Sequence, residues 1–176
     1  VNGSKARLTN RGWDFDTATM AQKYFGASAF LLNDLSALGY ALDSLSEDDA
    51  EVVLAAPASE QDQRLVVGAG TGFNVSPVLN AGGQTVCLRA EAGLCSLPSR
   101  VQTILEEYIG GPAGWVRCAE DAVRGPGLAE LHAAANGTPR IDASDVMAAA
   151  SAGDSDALAS TLVYARMLGA FVQDLR

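Results

Sequence analysis

Residues 64–90 constrain the fold more than any other stretch, because their glycines and their alternation fit only a sheet with tight turns. Leu65-Val66-Val67 runs into Gly68-Ala69-Gly70-Thr71-Gly72. Beyond Gly72, the residues Phe73, Val75, Pro77 and Leu79 alternate with Asn74, Ser76 and Val78, which is the period of a strand. Asn80-Ala81-Gly82-Gly83 is a turn, and residues 84–90 read as a third strand. A three-stranded antiparallel meander is expected. A dinucleotide-binding fingerprint has similar glycines, but it opens a helix whose N-terminus meets the pyrophosphate. Here a strand follows instead. Gly70-Thr71-Gly72 therefore reads as a hairpin tip, for which two glycines are ordinary. Its backbone amides and the Thr71 hydroxyl are also able to hold a phosphate.

Upstream, residues 27–32 are short, apolar and without helical spacing, and are expected to form a buried strand of about six residues. They end at Asn33 and Asp34. Apolar positions then recur at Leu35, Leu38, Tyr40, Ala41 and Leu42, as in a helix facing a core. An amide and a carboxylate thus sit where a strand hands over to a helix. Open α/β sheets bind ligands beyond the carboxyl ends of their strands. A carboxylate there can act as a general base. Equally, Asn33 or Asp34 can simply cap the helix, and from this stretch alone capping is favoured.

The remaining chain alternates short elements. Residues 7–10 suit an edge strand, and residues 13–24 a short helix with an Asp16-Thr17 start and a Gly26 end. Residues 43–49 are acidic and polar, a surface connection suited to a domain hinge. Val52 to Ala56 reads as a strand stopped by Pro57, followed by a polar loop. From Ser99 onward the pattern is helical. Ser99 is expected to cap residues 100–109, with further helices over 128–135, 143–150 and 154–176. On the last of these, Leu158, Leu162, Ala165, Leu168, Val172 and Leu175 form an apolar stripe, which needs a surface to bury it. Position 1 is Val, and no Gly or Pro announces an end at Arg176. A fragment of a longer protein is expected.

Composition excludes several classes. The 176 residues are 48% hydrophobic, enough for one domain with a core. No apolar run approaches the roughly 20 residues that span a bilayer. A net charge of −9 leaves no basic stripe for phosphates, so no nucleic-acid partner is expected. Cys87, Cys95 and Cys118 are odd in number and not clustered as zinc ligands. They suit a reducing cytoplasm. His132, the only histidine, reads as a solvated helix residue. Glu91 at a strand end and Glu120 ahead of Gly125-Pro126-Gly127 each read, in isolation, as surface acids.

Taken in order, these motifs are similar to the bacterial glucokinase family of the actin–hexokinase superfamily. They are Leu8-Thr9-Asn10 with Trp13, Leu32-Asn33-Asp34, Gly68-Ala69-Gly70-Thr71-Gly72, Glu91-Ala92-Gly93, and Glu120 with Gly125-Pro126-Gly127-Leu128. The resemblance runs over nearly the whole chain. It implies part of an α/β, actin-like (ribonuclease H-like) sugar-kinase fold, with the meander followed by helices. Residues 1–44 would end the small domain and residues 45–176 would form part of the large one. By the same resemblance Asp34 is the catalytic base. Asn33, Asp34, Glu91 and Glu120 bind the sugar, and Gly68, Gly70, Thr71 and Gly72 meet the nucleotide. Glucose or a related hexose is the implied substrate and ATP with Mg²⁺ the implied cofactor. A cytoplasmic, homodimeric protein is the corresponding expectation.

The sequence departs from the family at several points. Leu94 replaces a sugar-contacting histidine, Asn74 a glycine, and Arg124 a small polar residue. A first phosphate loop of Asp-Gly-Gly-Thr type and a late glycine pair have no counterpart. One lost neutral hydrogen bond is worth about 0.5–1.5 kcal/mol. Weaker or altered sugar binding is therefore expected, and no kinase activity from these 176 residues alone. The competing expectations are a non-enzymatic sugar sensor and a degenerate relative that binds nothing.

Overall fold

A computed structural model describes residues 4–7, 12–26, 28–46, 48–55 and 63–175. The chain divides into two compact units, residues 1–66 with 77–89, and residues 67–76 with 90–176.

In the first unit, β1 (Lys5–Arg7) and β2 (Asp14–Asp16) form a two-stranded antiparallel ladder with Ala6 opposite Phe15. Asp16 then caps α1 (Thr17–Met20), accepting from the N–H groups of Ala18 and Thr19. A wide turn over Ala21–Phe25 follows and ends at Gly26. The expected Asp16-Thr17 start and Gly26 stop are both present, although the helix is shorter than its sequence window. Of the expected edge strand over residues 7–10, Arg7 lies at the end of β1 and residues 8–10 fall outside the described residues. The next helix, α2 (Asp34–Ala41), starts where expected. Asn33 is its cap, its Oδ1 accepting from Leu35 N at 3.1 Å and Ser36 N at 3.3 Å.

Two expected strands do not form. Ala27 lies outside the described residues, residues 28–33 have no regular structure, and Phe30 is 83% exposed. Residues 52–55 are likewise irregular, with Val53 91% exposed, while Ala56 lies outside the described residues. Apolar composition permits a strand but does not supply its ladder. Among the described residues no backbone pairs with either segment.

The meander forms as expected, from β3 (Gln63–Ala69), β4 (Phe73–Ala81) and β5 (Gln84–Cys87), in that order. Gly82 and Gly83 link β4 to β5 with φ of 61° and 79°. That left-handed pair closes a two-residue hairpin whose twist matches its strands. One feature of β4 differs from simple alternation. Phe73 and Val75 are buried, but so are Ser76 and Val78, so the buried face changes side at Val75–Ser76. Val78 belongs to the first unit, where it packs with Cys87 against α2 at Gly39.

The second unit holds a short 3-10 turn (Ala92–Leu94) and five helices. These are α3 (Ser99–Ile109), α4 (Ala119–Val123), α5 (Gly125–Asn136), α6 (Ala143–Ser151) and α7 (Ser155–Asp174). Ser99 is the first residue of α3 and Pro98 its cap, which corrects the expected Ser99 cap. Proline fits there because its fixed φ precedes the helix and no N–H is needed. Val101, Leu105, Val123, Leu131, Val146 and Met167 are fully buried. Phe73 of β4 stacks obliquely on Phe171 of α7, with centroids 5.2 Å apart. On α7 the buried residues are Ala157, Ser160, Met167, Ala170 and Phe171, while Leu158 and Leu162 of the expected stripe are 45% and 61% exposed. Small side chains on the buried side let α3, α5 and α6 approach closely. His132 is half-buried rather than solvated, its Nδ1 3.0 Å from the buried Ser160 Oγ. Among the described residues no helix is long and apolar enough to cross a membrane.

A methyl group at Gly39 would lie 2.8 Å from Cys87 Sγ and 2.9 Å from Val78 Cγ2. Alanine gains about 1 kcal/mol in helix propensity over glycine, but overpacking costs about 1–3 kcal/mol. Gly39→Ala is expected to lower the urea midpoint, and adding Cys87→Ala to recover part of the loss.

Candidate active site

In the second unit, three backbone segments close on one another because glycine occupies each contact. At the hairpin tip between β3 and β4, Gly70 N–H donates to Gly72 O at 2.8 Å. The first N–H of α5, from Gly125, donates to Gly70 O at 2.7 Å. Glu120 lies in the first turn of α4, and its Oε2 accepts the Phe73 N–H at 3.1 Å. A Cβ at Gly72 would stand 3.3 Å from that same oxygen. At Gly93 a Cβ would strike the Phe73 carbonyl and come within 3.1 Å of Glu120 Cβ. The glycine segment thus forms a hairpin tip, as expected, and Thr71 is exposed on it.

Glu91 reaches the same strand by a different route. Asn74, next to Phe73 on β4, donates from Nδ2 to Glu91 Oε2 at 3.0 Å. Its Oδ1 accepts the Ala92 N–H at 3.1 Å. Glu91 precedes the 3-10 turn, whose last residue, Leu94, is 68% exposed. Glu91, Glu120, Gly70, Thr71 and Gly72 are therefore grouped around the start of β4, while Gly68 lies within β3. Asn33 and Asp34 belong to the first unit. Asp34 opens α2 with an exposed side chain, its Oδ1 accepting Leu35 N–H at 2.9 Å. Carboxylates and amides at helix starts and strand ends suit neutral hydroxyl groups, which both donate and accept.

Two arginines shape the charge beside Glu120. Arg124 Nη2 bonds Asp121 Oδ1 at 3.0 Å, and its Nη1 lies 3.8 Å from Glu120 Oε1. Arg117 pairs with Asp121 Oδ2 at 3.2 Å. Burial pushes the Asp121 carboxyl up, but hydrogen bonds and charge from Arg117, with the charge of Arg124, outweigh it and hold the carboxyl below its usual range. Asn74 and this arginine–aspartate group were not singled out as site residues from the sequence. The glycine-to-asparagine departure at 74 was the available signal for the first. The i, i+4 spacing of Arg117 and Asp121 was the signal for the second. Among the described residues no group of His, Cys, Asp and Glu is placed to hold a metal ion by itself.

A carboxyl held low stabilises the fold above its ordinary pKa of 3.8, and that contribution fades as pH falls through the lower folded value. Asp121→Asn is expected to cost about 2 kcal/mol at pH 7. Its melting temperature should approach that of the unaltered protein at strongly acidic pH, followed by circular dichroism across a pH series.

A family model described as Glucokinase matches residues 1–176. The glucokinase of Stenotrophomonas maltophilia (strain R551-3) is 30% identical, over 99% of this chain and 56% of its own length. That of Xanthomonas campestris pv. campestris (strain B100) is 29% identical with the same coverage. The chain spans about half the length of the curated relatives it matches. A solved glucokinase from an Antarctic psychrotroph has a TM-score of 0.78 at 25% identity, covering 99% of this chain and 56% of that one. A glucokinase from Balamuthia mandrillaris, in complex with glucose, has a TM-score of 0.62 at 18% identity with the same coverage, a likeness of fold alone. The α/β fold expected from the sequence is the one these neighbours share over the part that is covered. Matched along residues 1–176 by that model, the chain belongs to the glucokinase family.

Proposed function

We propose that this chain carries the hexose site and part of the nucleotide site of a kinase that transfers the γ-phosphate of ATP to the 6-hydroxyl of glucose. The observation that supports it best is the grouping of Glu91, Glu120 and the glycine hairpin around the start of β4. In this reading Asn33, Glu91 and Glu120 grip sugar hydroxyls as strong acceptors or two-way partners. Asp34 orients the primary hydroxyl and takes its proton. Phosphoryl transfer depends on positioning and charge neutralisation more than on covalent chemistry. ATP supplies the phosphoryl group and its Mg²⁺ neutralises charge. Gly68, Gly70, Thr71 and Gly72 approach the phosphates, where the open space beside Gly70 leaves room for them. Mg²⁺ held through substrate phosphates needs no dedicated cage of side chains.

The same reading assigns residues 1–44 to the end of a small domain and residues 45–176 to part of a large one. That division follows the acidic stretch at 43–49 and concerns the longer fold, whereas the compact units follow contacts within this chain. A cytoplasmic homodimer belongs to the same reading, and its three free thiols suit that compartment.

Exposed Leu94, in place of the family histidine, favours one second reading, a protein that binds hexose without turnover. Calorimetry with glucose and a coupled assay with ATP separate the two. In the full-length natural protein Asp34→Ala should lower phosphorylation by about 100-fold or more while glucose still binds. Full activity of that variant would refute the assignment of the base.

A further inference from the structure

Glu91 sits on an exposed connection, where a glutamate side chain is free to rotate. To accept from a neutral hydroxyl it must be ordered, and ordering at the moment of binding costs affinity. One side chain removes that freedom beforehand. Asn74 projects from β4 between Phe73 and Val75, both buried, so its base is fixed. Its Oδ1 accepts the N–H groups of Ala92 at 3.1 Å and Val75 at 2.9 Å. Two backbone donors define which end of the amide is oxygen, and they leave Nδ2 as the donor to Glu91 Oε2 at 3.0 Å. The amide therefore holds both the Glu91 carboxylate and the peptide that follows it. Donation to an ionised acceptor makes this the stronger kind of hydrogen bond. Glu91 Oε1 has no partner among the described residues, so one oxygen is anchored and the other is left to a ligand.

We propose that Asn74 is a positioning residue that presents the Glu91 carboxylate to the hexose. The inference rests on the proposed role of Glu91 as a hexose ligand. Asn74 touches no reacting atom in this scheme and acts only through its neighbour. Glycine at the same position would leave Glu91 and Ala92 without these partners.

The test uses the full-length natural protein with glucose and Mg-ATP, read as KM for each substrate and as glucose affinity by calorimetry. Asn74→Asp keeps the acceptor for Ala92 N–H, loses the donor and sets a second carboxylate against Glu91. It should raise the glucose KM and dissociation constant about tenfold, the size of one lost hydrogen bond to a charged group. KM for ATP and the melting temperature should stay unchanged. Asn74→Gly should weaken glucose binding in the same direction. Once Glu91→Gln is present, Asn74→Asp should add little, because both act through one carboxylate. If Glu91→Gln leaves glucose affinity unaltered, the hexose-ligand reading of Glu91 is wrong. If Glu91→Gln weakens binding but Asn74→Asp does not, that reading stands and the positioning role alone fails. Parallel shifts in the ATP KM and melting temperature would mark Asn74 as merely structural and overturn the proposal.

Discussion

The backbone N–H of Phe73 has one partner on which the second unit depends, the Glu120 carboxylate at 3.1 Å. Phe73 is buried and its ring stacks on Phe171, so the strand start cannot turn to water without losing that packing. A buried N–H left without an acceptor costs about 1–3 kcal/mol. Glu120 meets this need from α4, a helix of a single short stretch that would not stand alone. Its position comes from neighbours on both sides. Gly93 lies against the Phe73 carbonyl, and a Cβ at Gly127 would clash with the carbonyls of Asp121 and Ala122. The glycines matter here because they are the only residues that let α4, α5 and the hairpin come this close.

Charge is arranged around that contact so that Glu120 is not consumed by it. Arg124 faces two carboxylates, and distance decides between them. Its contact with Asp121 is 3.0 Å, that with Glu120 3.8 Å, and Asp121 is the more buried of the two acids. Shorter, drier ion pairs hold the guanidinium more firmly. Arg124 therefore serves Asp121 first, and only Oε2 of Glu120 is taken by the backbone. Arg117 completes the neutralisation of Asp121 from an exposed position, where an isolated pair contributes little by itself.

Local chemistry was legible in the sequence, and remote pairing was not. The hairpin at Gly82–Gly83, the caps at Asp16 and Asn33, and the stop at Gly26 all follow from residues within a short stretch. Residues 28–33 and 52–55 failed as strands because a ladder needs a partner that an apolar run does not specify. On α7 the large leucines suggested the buried face, yet Ala157, Ser160, Met167, Ala170 and Phe171 occupy it, three of them small. Close helix approach selects small residues as readily as large ones. In the candidate site, Asn74 and Glu91 are 17 residues apart, and Phe73 and Glu120 are 47 apart. No period or spacing rule links such positions. The two glutamates could be assigned roles only through the family resemblance, and Asn74 stood out only as a departure from it.

Two of those departures bear on the same short segment from opposite sides. Leu94 ends the 3-10 turn with an exposed apolar side chain, which offers no hydrogen bond to a sugar. Asn74 adds two hydrogen bonds at the turn's beginning, to Glu91 and to Ala92 N–H. A lost neutral hydrogen bond removes about 0.5–1.5 kcal/mol. Fixing one flexible side chain before binding saves about 0.5–1.5 kcal/mol of ordering. The two magnitudes are the same size, so under the proposed function the pair of changes need not weaken hexose binding in sum. In the proposed site the source of affinity would move from one more contact with the sugar to a better-prepared carboxylate. On that account the segment from Glu91 to Leu94 is where discrimination among hexoses would be relaxed, because a leucine rejects no hydroxyl configuration that a histidine would read.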